Sequence, residues 1–322
     1  YGKGRSYLIK KVINRQIWWD KRSSTLDPFI NIIRDHIAPD FGIDFDYEGI
    51  RANDGLTFIH RKLPDKDIYF VSNIREEQST IPVTFRVKNK IINKWNPYTG
   101  EITSVLSFTE TKDGIKFPLN LAPYESTFIE FSSGEPETYV TKTDFYEITD
   151  AYKNQIKAYA LQNGTYSSSI MTNSCEKINT ILVSGIPAPY LVTGKWKIEF
   201  EGYEFPRINK WSDFLYSWTD DSLTRNFSGT GRYEINFKLP SEYVSKELRL
   251  LLNLGKVGNV AEVIINDKNP GTIWMRDQKL DITKFVKQGE NKLLILVTNT
   301  LINRVSAMRE PPPVPPDIVP IF

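Results

Sequence analysis

Cleavage of a glycoside needs two carboxyl groups about 5 to 9.5 Å apart across the sugar. Three acidic pairs in this chain are close enough in sequence to ask the question: Glu199 with Glu201, Asp65 with Asp67, and Asp220 with Asp221. Glu199 and Glu201 alternate along a strand-like stretch, roughly 7 Å apart from strand rise alone. That spacing is common on solvated strand faces, and the two aspartate pairs sit in turn-like sequence. None of the three reads as a catalytic pair. Metal chemistry has little to work with. The chain has two histidines and one cysteine, with no His-x-x-x-His pair and no Cys cluster for zinc. Cys175 can form no disulfide within the chain. Neither a Gly-x-Ser-x-Gly elbow nor a phosphate loop occurs, because Ser228-Gly229-Thr230-Gly231 is not followed by a helical pattern.

Sugar recognition is better served. A pyranose offers an apolar face to aromatic rings and a polar rim to Asn, Asp and Arg. Trp211, Tyr216, Trp218, Trp274, Arg276 and Arg304 all fall in loop-like sequence or at strand ends. Trp274 follows Gly271 and precedes Met275-Arg276-Asp277, a loop-like run, and loops carry function. The competing reading has Trp274 plugging the mouth of a sandwich. Trp196 alternates with Ile198 and Phe200 and reads as core. His60-Arg61 ends a strand before the turn Leu63-Pro64-Asp65. The simpler reading pairs Arg61 with Asp65 or Asp67 and half-buries His60. His36 reads as solvated at a helix end.

These residues need a frame, and the periodicity supplies one. From Ser228 to Arg304, apolar and polar residues alternate and each run ends at a turn. Arg232, Glu234 and Asn236 fall on one face of a strand, with Tyr233, Ile235 and Phe237 on the other. Similar runs begin near Gly55: 57–60, 68–72, 82–87, 102–108 and 126–131, with turns at Asn96-Pro97-Tyr98-Thr99-Gly100 and Lys112-Asp113-Gly114. Asn163-Gly164 suggests a hairpin joining 155–161 to 165–171, while 145–156 stays open as a short helix. Ile186-Pro187-Ala188-Pro189 marks a boundary. Residues 1–50 differ: Leu26, Phe29, Ile30, Ile33 and Ile37 follow helical spacing behind an Asp27-Pro28 start, and Pro39 stops the helix. The tail Pro311-Pro312-Pro313-Val314-Pro315-Pro316 favours polyproline II. It serves as a capping strap or frayed end, or, as a weaker alternative, an SH3-type ligand. The expected architecture is mostly β. A remnant of an upstream α/β domain (1–50) precedes a β-sandwich (51–186) and a jelly-roll-like sandwich (187–322).

Net charge is +2, too small a field to argue for nucleic acid or an anionic membrane surface. No run of about 18 apolar residues is present to span a membrane. The chain starts at Tyr1 rather than Met, which suggests a cut N-terminus and leaves a signal peptide undecided.

The series "SGTGRYEINFKLP … LLLNLGKVGNVAEVIIND … GTIW … LDITKFVKQGENKLLILVTN" resembles the galactose-binding-like jelly roll of family 2 glycoside hydrolases and their relatives. "GLTFIHRKLPDKDIYFVSN", "KWNPYTGEI" and "IPAPYLVTGKWKIEF" resemble the C-terminal half of the family 106 glycoside hydrolases, the α-L-rhamnosidase-like enzymes. The likeness extends over nearly the whole chain and is densest from Gly55 to Arg304. Gly2-Lys3-Gly4-Arg5 matches the end of the upstream domain in those relatives. The resemblance implies a C-terminal accessory region of an exported hydrolase. In that family the catalytic carboxylates belong to a barrel N-terminal to these sandwiches, so no catalytic residue is carried onto this chain and the fragment is expected to be inactive alone. The implied partners are that barrel and a rhamnose-containing polysaccharide. His60 and Arg61 become candidates for contact with the barrel or its substrate. Related jelly rolls often hold a structural calcium, to which Asp220 and Asp221 could contribute, but two acids fall short of the roughly six to eight oxygens it takes. A stand-alone lectin-like module, a purely structural domain and a complete small glycosidase are the rival readings. A module that starts inside a severed domain argues against the first.

Overall fold

The protein is described from a computed structural model. It covers the backbone of residues 45–47 and residues 55–203, 205–275 and 277–308. The expected helix around Leu26–Ile37, His36, Arg276 and the proline-rich tail all lie outside the described residues. The chain is mostly β and divides into two units, one ending at Ser184 and one beginning at Gly185. Among the described residues, no helix is long and apolar enough to cross a membrane.

The strands of the first unit are β1 (Phe45–Tyr47), β2 (Leu56–Lys62), β3 (Lys66–Asn73), β4 (Ser79–Phe85), β5 (Lys90–Trp95), β6 (Ile102–Ser104), β7 (Thr109–Thr111), β8 (Gly114–Leu121), β9 (Ser126–Ser133), β10 (Thr138–Thr143), β11 (Glu147–Tyr152), β12 (Gln155–Tyr159), β13 (Gly164–Thr172) and β14 (Cys175–Val183). Two antiparallel sheets, ordered β1-β4-β8-β7 and β2-β3-β9-β5-β6, form the sandwich. The alternation seen in sequence sends Tyr69, Val71, Val83, Phe85, Phe117 and Phe131 into one core. The ring of Phe85 lies 5.0 Å from Tyr69 and 5.1 Å from both Phe117 and Phe131. Each such side chain contributes about 1.5–3 kcal/mol through burial. Gly114 has φ +144°, and a Cβ there would stand 2.0 Å from the carbonyl oxygen of Phe85, so only glycine closes this turn. Pro82 faces Pro118 across β4 and β8. Neither breaks the sheet: among the described residues, β1 pairs as far as Val83 and β7 as far as Lys116, and no described strand lies beside either proline.

The region after Thr138 departs from the expected pairing. β12 pairs with β11 through a turn at Lys153-Asn154, and β13 pairs with β14 through Asn173-Ser174. Lys153, Asn173 and Ser174 all take positive φ. Residues 147–152 are therefore strand rather than helix, and Asn163-Gly164 connects the two hairpins instead of closing one. β14 forms one edge of the sheet ordered β10-β13-β14, with Ile178, Ile181 and Leu182 exposed along it.

The second unit holds β15 (Trp196–Glu201), β16 (Ile208–Ser212), β17 (Thr230–Leu239), β18 (Leu251–Leu252), β19 (Val260–Ile265), β20 (Lys268–Ile273), β21 (Leu280–Asp281), β22 (Gly289–Thr298) and a one-turn helix α1 (Ile302–Ser306). Six strands form one sheet in the order β16-β15-β17-β22-β19-β20, and β18 pairs with β21. Trp196, Ile198, Phe200, Tyr233, Ile235 and Phe237 enter the core from the large sheet; Leu250, Leu252, Ile282 and Phe285 pack against them from the opposite layer. β17 and β22 stay in register over ten residues, from Thr230 opposite Thr298 to Leu239 opposite Gly289. Two asparagines fix the turn leading into β22. The Nδ2 of Asn291 donates to the carbonyls of Lys287 and Gly289, and its Oδ1 accepts from the Nδ2 of Asn266 and the backbone N–H of Lys287. A buried amide is tolerated there because its partners are all supplied.

Candidate functional site

The members of each carboxylate pair have unlike surroundings. Glu199 lies 2.8 Å from the Lys197 ammonium and 3.8 Å from the Arg232 guanidinium. The hydrogen bond from Lys197 outweighs partial burial and holds its carboxyl below the usual range. Glu201, two residues on, is exposed. Asp67 is buried at the end of the core face of β3 and lies 3.1 Å from Nε2 of His60, while Asp65 is exposed in the turn. His60, rather than Arg61, meets Asp67, whose Oδ2 also lies 3.9 Å from the Lys90 ammonium, and the His60 ring stacks on Tyr69 at 4.1 Å. His60 thus covers one end of the sandwich core. Arg61 is exposed on the other face of β2.

Asp221 belongs to a knot that the sequence did not signal through motifs. Lys210 lies on β16 opposite Ile198, at a position that faces the core. Its ammonium donates to Oδ2 of Asp221 at 2.6 Å and also to the Tyr216 hydroxyl. Tyr216 donates to the same Oδ2 at 3.0 Å, and Oδ1 accepts the backbone N–H of Leu223 at 2.9 Å. The Lys210 hydrogen bond is the main reason that the Asp221 carboxyl falls to about 2. Burial pulls the Lys210 ammonium down, but bonds to Asp221 and Tyr216 carry it above its ordinary value. The parity of Lys210 was the available signal, since a charged residue in a core-facing place needs a partner.

The same loop inserts Trp218 inward. Its indole meets Phe200 at 5.3 Å and Phe227 at 5.2 Å, both edge-on, and its Nε1 donates to the Tyr233 hydroxyl. Burial raises the Tyr233 phenol above its ordinary range, with that hydrogen bond working against the rise. Gly231 makes the room: a Cβ there would lie 2.8 Å from the indole. The glycines of Ser228-Gly229-Thr230-Gly231 therefore serve packing. Tyr216 and Trp218 sit on one loop, but the first is tied to the knot and the second is packed against the core.

Trp274 and Trp211 stand out instead, 51% and 66% exposed. Trp274 follows β20. Gln278 fixes its loop: Oε1 accepts the N–H of Trp274 at 3.0 Å and of Met275 at 3.3 Å, while Nε2 donates to the carbonyl of Thr272. Trp211 lies on the outer face of β16, across from Lys197. Arg304 is in α1 rather than at a strand end. Its guanidinium donates to the Tyr203 carbonyl and lies over the Tyr203 ring. The described candidates of the second unit therefore sit on several different elements: β16, the 213–223 loop, the loop after β20 and α1. Among the described residues, no group of three His, Cys, Asp or Glu is placed to hold a metal ion, and both oxygens of Asp221 are already occupied.

Residues 7–110 match the model of glycoside hydrolase family 106, described as alpha-L-rhamnosidase. A Formosa agariphila protein named "Putative beta-glucuronidase" is 30% identical over 235 residues, covering 72% of this chain and 19% of that protein. The solved rhamnosidase from Novosphingobium sp. PP1Y superposes with a TM-score of 0.62 at 25% identity, covering 85% of this chain and 22% of that one. The chain carries a family-106-like, α-L-rhamnosidase-related region and spans about a fifth of the length of these two relatives.

Proposed function

We propose that this chain is a non-catalytic accessory region of an exported α-L-rhamnosidase-like glycoside hydrolase, supporting its catalytic domain and holding carbohydrate. The observation that carries the binding part is Trp274, half exposed on a loop whose backbone is braced by Gln278. A rigid, presented indole loses little freedom when a sugar ring stacks on it. A glycosidase acid must keep its proton near neutral pH and needs a raised pKa; Glu199 and Asp221 are both pushed down, which speaks against either of these two as the proton donor. The names of the two relatives, a rhamnosidase and a "beta-glucuronidase", agree in pointing to a glycoside as the ligand of the parent protein.

Calorimetric titration with L-rhamnose and rhamnose-bearing oligosaccharides tests this, with Trp274→Ala as the paired variant. Saturable binding that disappears in the variant, at unchanged thermal stability, supports it. Absence of binding in the parent chain leaves a structural role. Release of rhamnose from an aryl rhamnoside by this chain alone refutes the non-catalytic assignment.

A further inference from the structure

The outer face of the six-stranded sheet carries a second constellation. Across β16, β15 and β17, one row reads Trp211, Lys197, Glu234 and the next reads Asn209, Glu199, Arg232. Lys292 on β22 joins them by its pairing opposite Asn236. The charges form a ladder: Lys197 to Glu199 at 2.8 Å, Arg232 to Glu234 at 2.9 Å, and Lys292 to Glu234 at 3.2 Å.

Depth decides what this face presents. The side chains of Glu199 and Glu234 are only 17% and 23% exposed, whereas those of Lys197, Arg232 and Lys292 are 44%, 40% and 44% exposed. Hydrogen bonds from Lys197 and Arg232 keep the two acids ionised, against some desolvation. The acids thus lie below as a brace and the cations stand above with donors to spare: an ammonium carries three N–H bonds and a guanidinium five. Arg207 adds a further cation close enough to act on Glu199. Glu201 lies at the rim, and Glu262, two strands from β17, accepts from Asn269 at 2.7 Å. Trp211 borders the cations as an open aromatic surface. Trp211 and Arg232 are two strands and two residues apart, about 12 Å, which is a span for an oligosaccharide rather than one ring.

We infer that this face is a binding platform for a carboxylate-bearing glycan, a uronic-acid oligosaccharide. One sugar ring stacks on Trp211, and carboxylates further along the chain are received by Lys197, Arg232 and Lys292. The guanidinium plane suits a carboxylate with two parallel hydrogen bonds. The inference rests on the carbohydrate-holding role proposed above but uses a different surface from Trp274.

The test is titration of the full chain with oligogalacturonate and oligoglucuronate, alongside neutral xylo-oligosaccharides and L-rhamnose. Saturable binding of a uronic-acid oligomer is expected. It should weaken about fivefold or more in Trp211→Ala, recover in Trp211→Tyr, and weaken in Arg232→Gln. It should also fall as salt rises from 50 to 500 mM, in step with screening. Both substituted residues are exposed enough that circular dichroism should report an intact fold. Failure of both uronic-acid oligomers to bind overturns the platform, as does undiminished binding by Trp211→Ala. Equal competition by inorganic polyphosphate with no effect of Trp211→Ala marks plain charge attraction and also overturns it. If L-rhamnose binds through Trp274 and neither uronic-acid oligomer binds, the accessory role stands while the platform falls. If no sugar binds, both fall.

Discussion

Two loops of the second unit carry tryptophans in similar polar company, and the structure uses them in opposite ways. The 213–223 loop sends Trp218 inward against Phe200, Phe227 and Tyr233 and is tied down by Lys210, Tyr216 and Asp221. The 274–278 loop leaves Trp274 half exposed and spends the polar side chain of Gln278 on its own backbone. Loop aromatics are therefore not interchangeable evidence for a binding surface. What separates the two cases is whether the opposite strand has made room: Gly231 has done so for Trp218, and Trp274 stands half exposed after β20.

Removing that room should break the contrast most severely. Trp218→Ala empties a packed aromatic site and is expected to cost about 3–5 kcal/mol in chemical denaturation. Gly231→Ala keeps the indole but drives a methyl into it, for about 1–3 kcal/mol. If Gly231→Ala were neutral, Trp218 would have to be free to swing out, and the distinction between the loops would collapse. The same change at the half-exposed Trp274 should cost clearly less than it does at Trp218.

The knot comes next in size. Asp221→Asn removes a charge-assisted partner of Lys210 and should cost roughly 1.5–3 kcal/mol at neutral pH. The pH dependence has a definite sign. The carboxyl lies at about 2 in the folded protein against an ordinary 3.8, so the folded state binds its proton less readily than the unfolded state. Its contribution is complete above the unfolded value and drains away as pH falls from about 4 toward 2. The wild-type protein should lose stability across that window faster than Asp221→Asn does; parallel curves would mean that Lys210 does not hold the carboxylate in solution. The smallest expected effect is at Gln278. Gln278→Ala should loosen the Trp274 loop, measurable as faster amide exchange at Trp274 and Met275, with a change of about 1 kcal/mol or less in global stability.

Much of the second unit was legible from the chain. Arg232, Glu234 and Asn236 could be separated from Tyr233, Ile235 and Phe237 by parity alone, because a strand with one buried face leaves no other arrangement. Trp196 was legible as core for the same reason. The inward turn of Trp218 was not, since its room comes from a glycine thirteen residues later on another strand. Nor was the pairing after Thr138. Asn163-Gly164 is a strong turn signal, but Lys153-Asn154 and Asn173-Ser174 each close a hairpin of their own, and no local rule ranks one turn above another. His60 was expected to be half-buried, and it is; the histidine took the aspartate that Arg61 was expected to take, because His60 and Asp67 share the core side of their strands while Arg61 points away. The outer-face ladder went unremarked because each of its charges, taken singly, looks like ordinary solvated surface.

The edge strand β14 has a practical consequence. It offers nine residues of backbone with Ile178, Ile181 and Leu182 in water and no proline to interrupt them. In a concentrated stock, such an edge is a template for strand addition between molecules. Storage life should therefore be limited by this ribbon rather than by either sandwich core. A lysine in place of Ile178 would lengthen it, and the exposed thiol of Cys175, at the start of the same strand, provides a place to attach a dye that reports the first molecules to join.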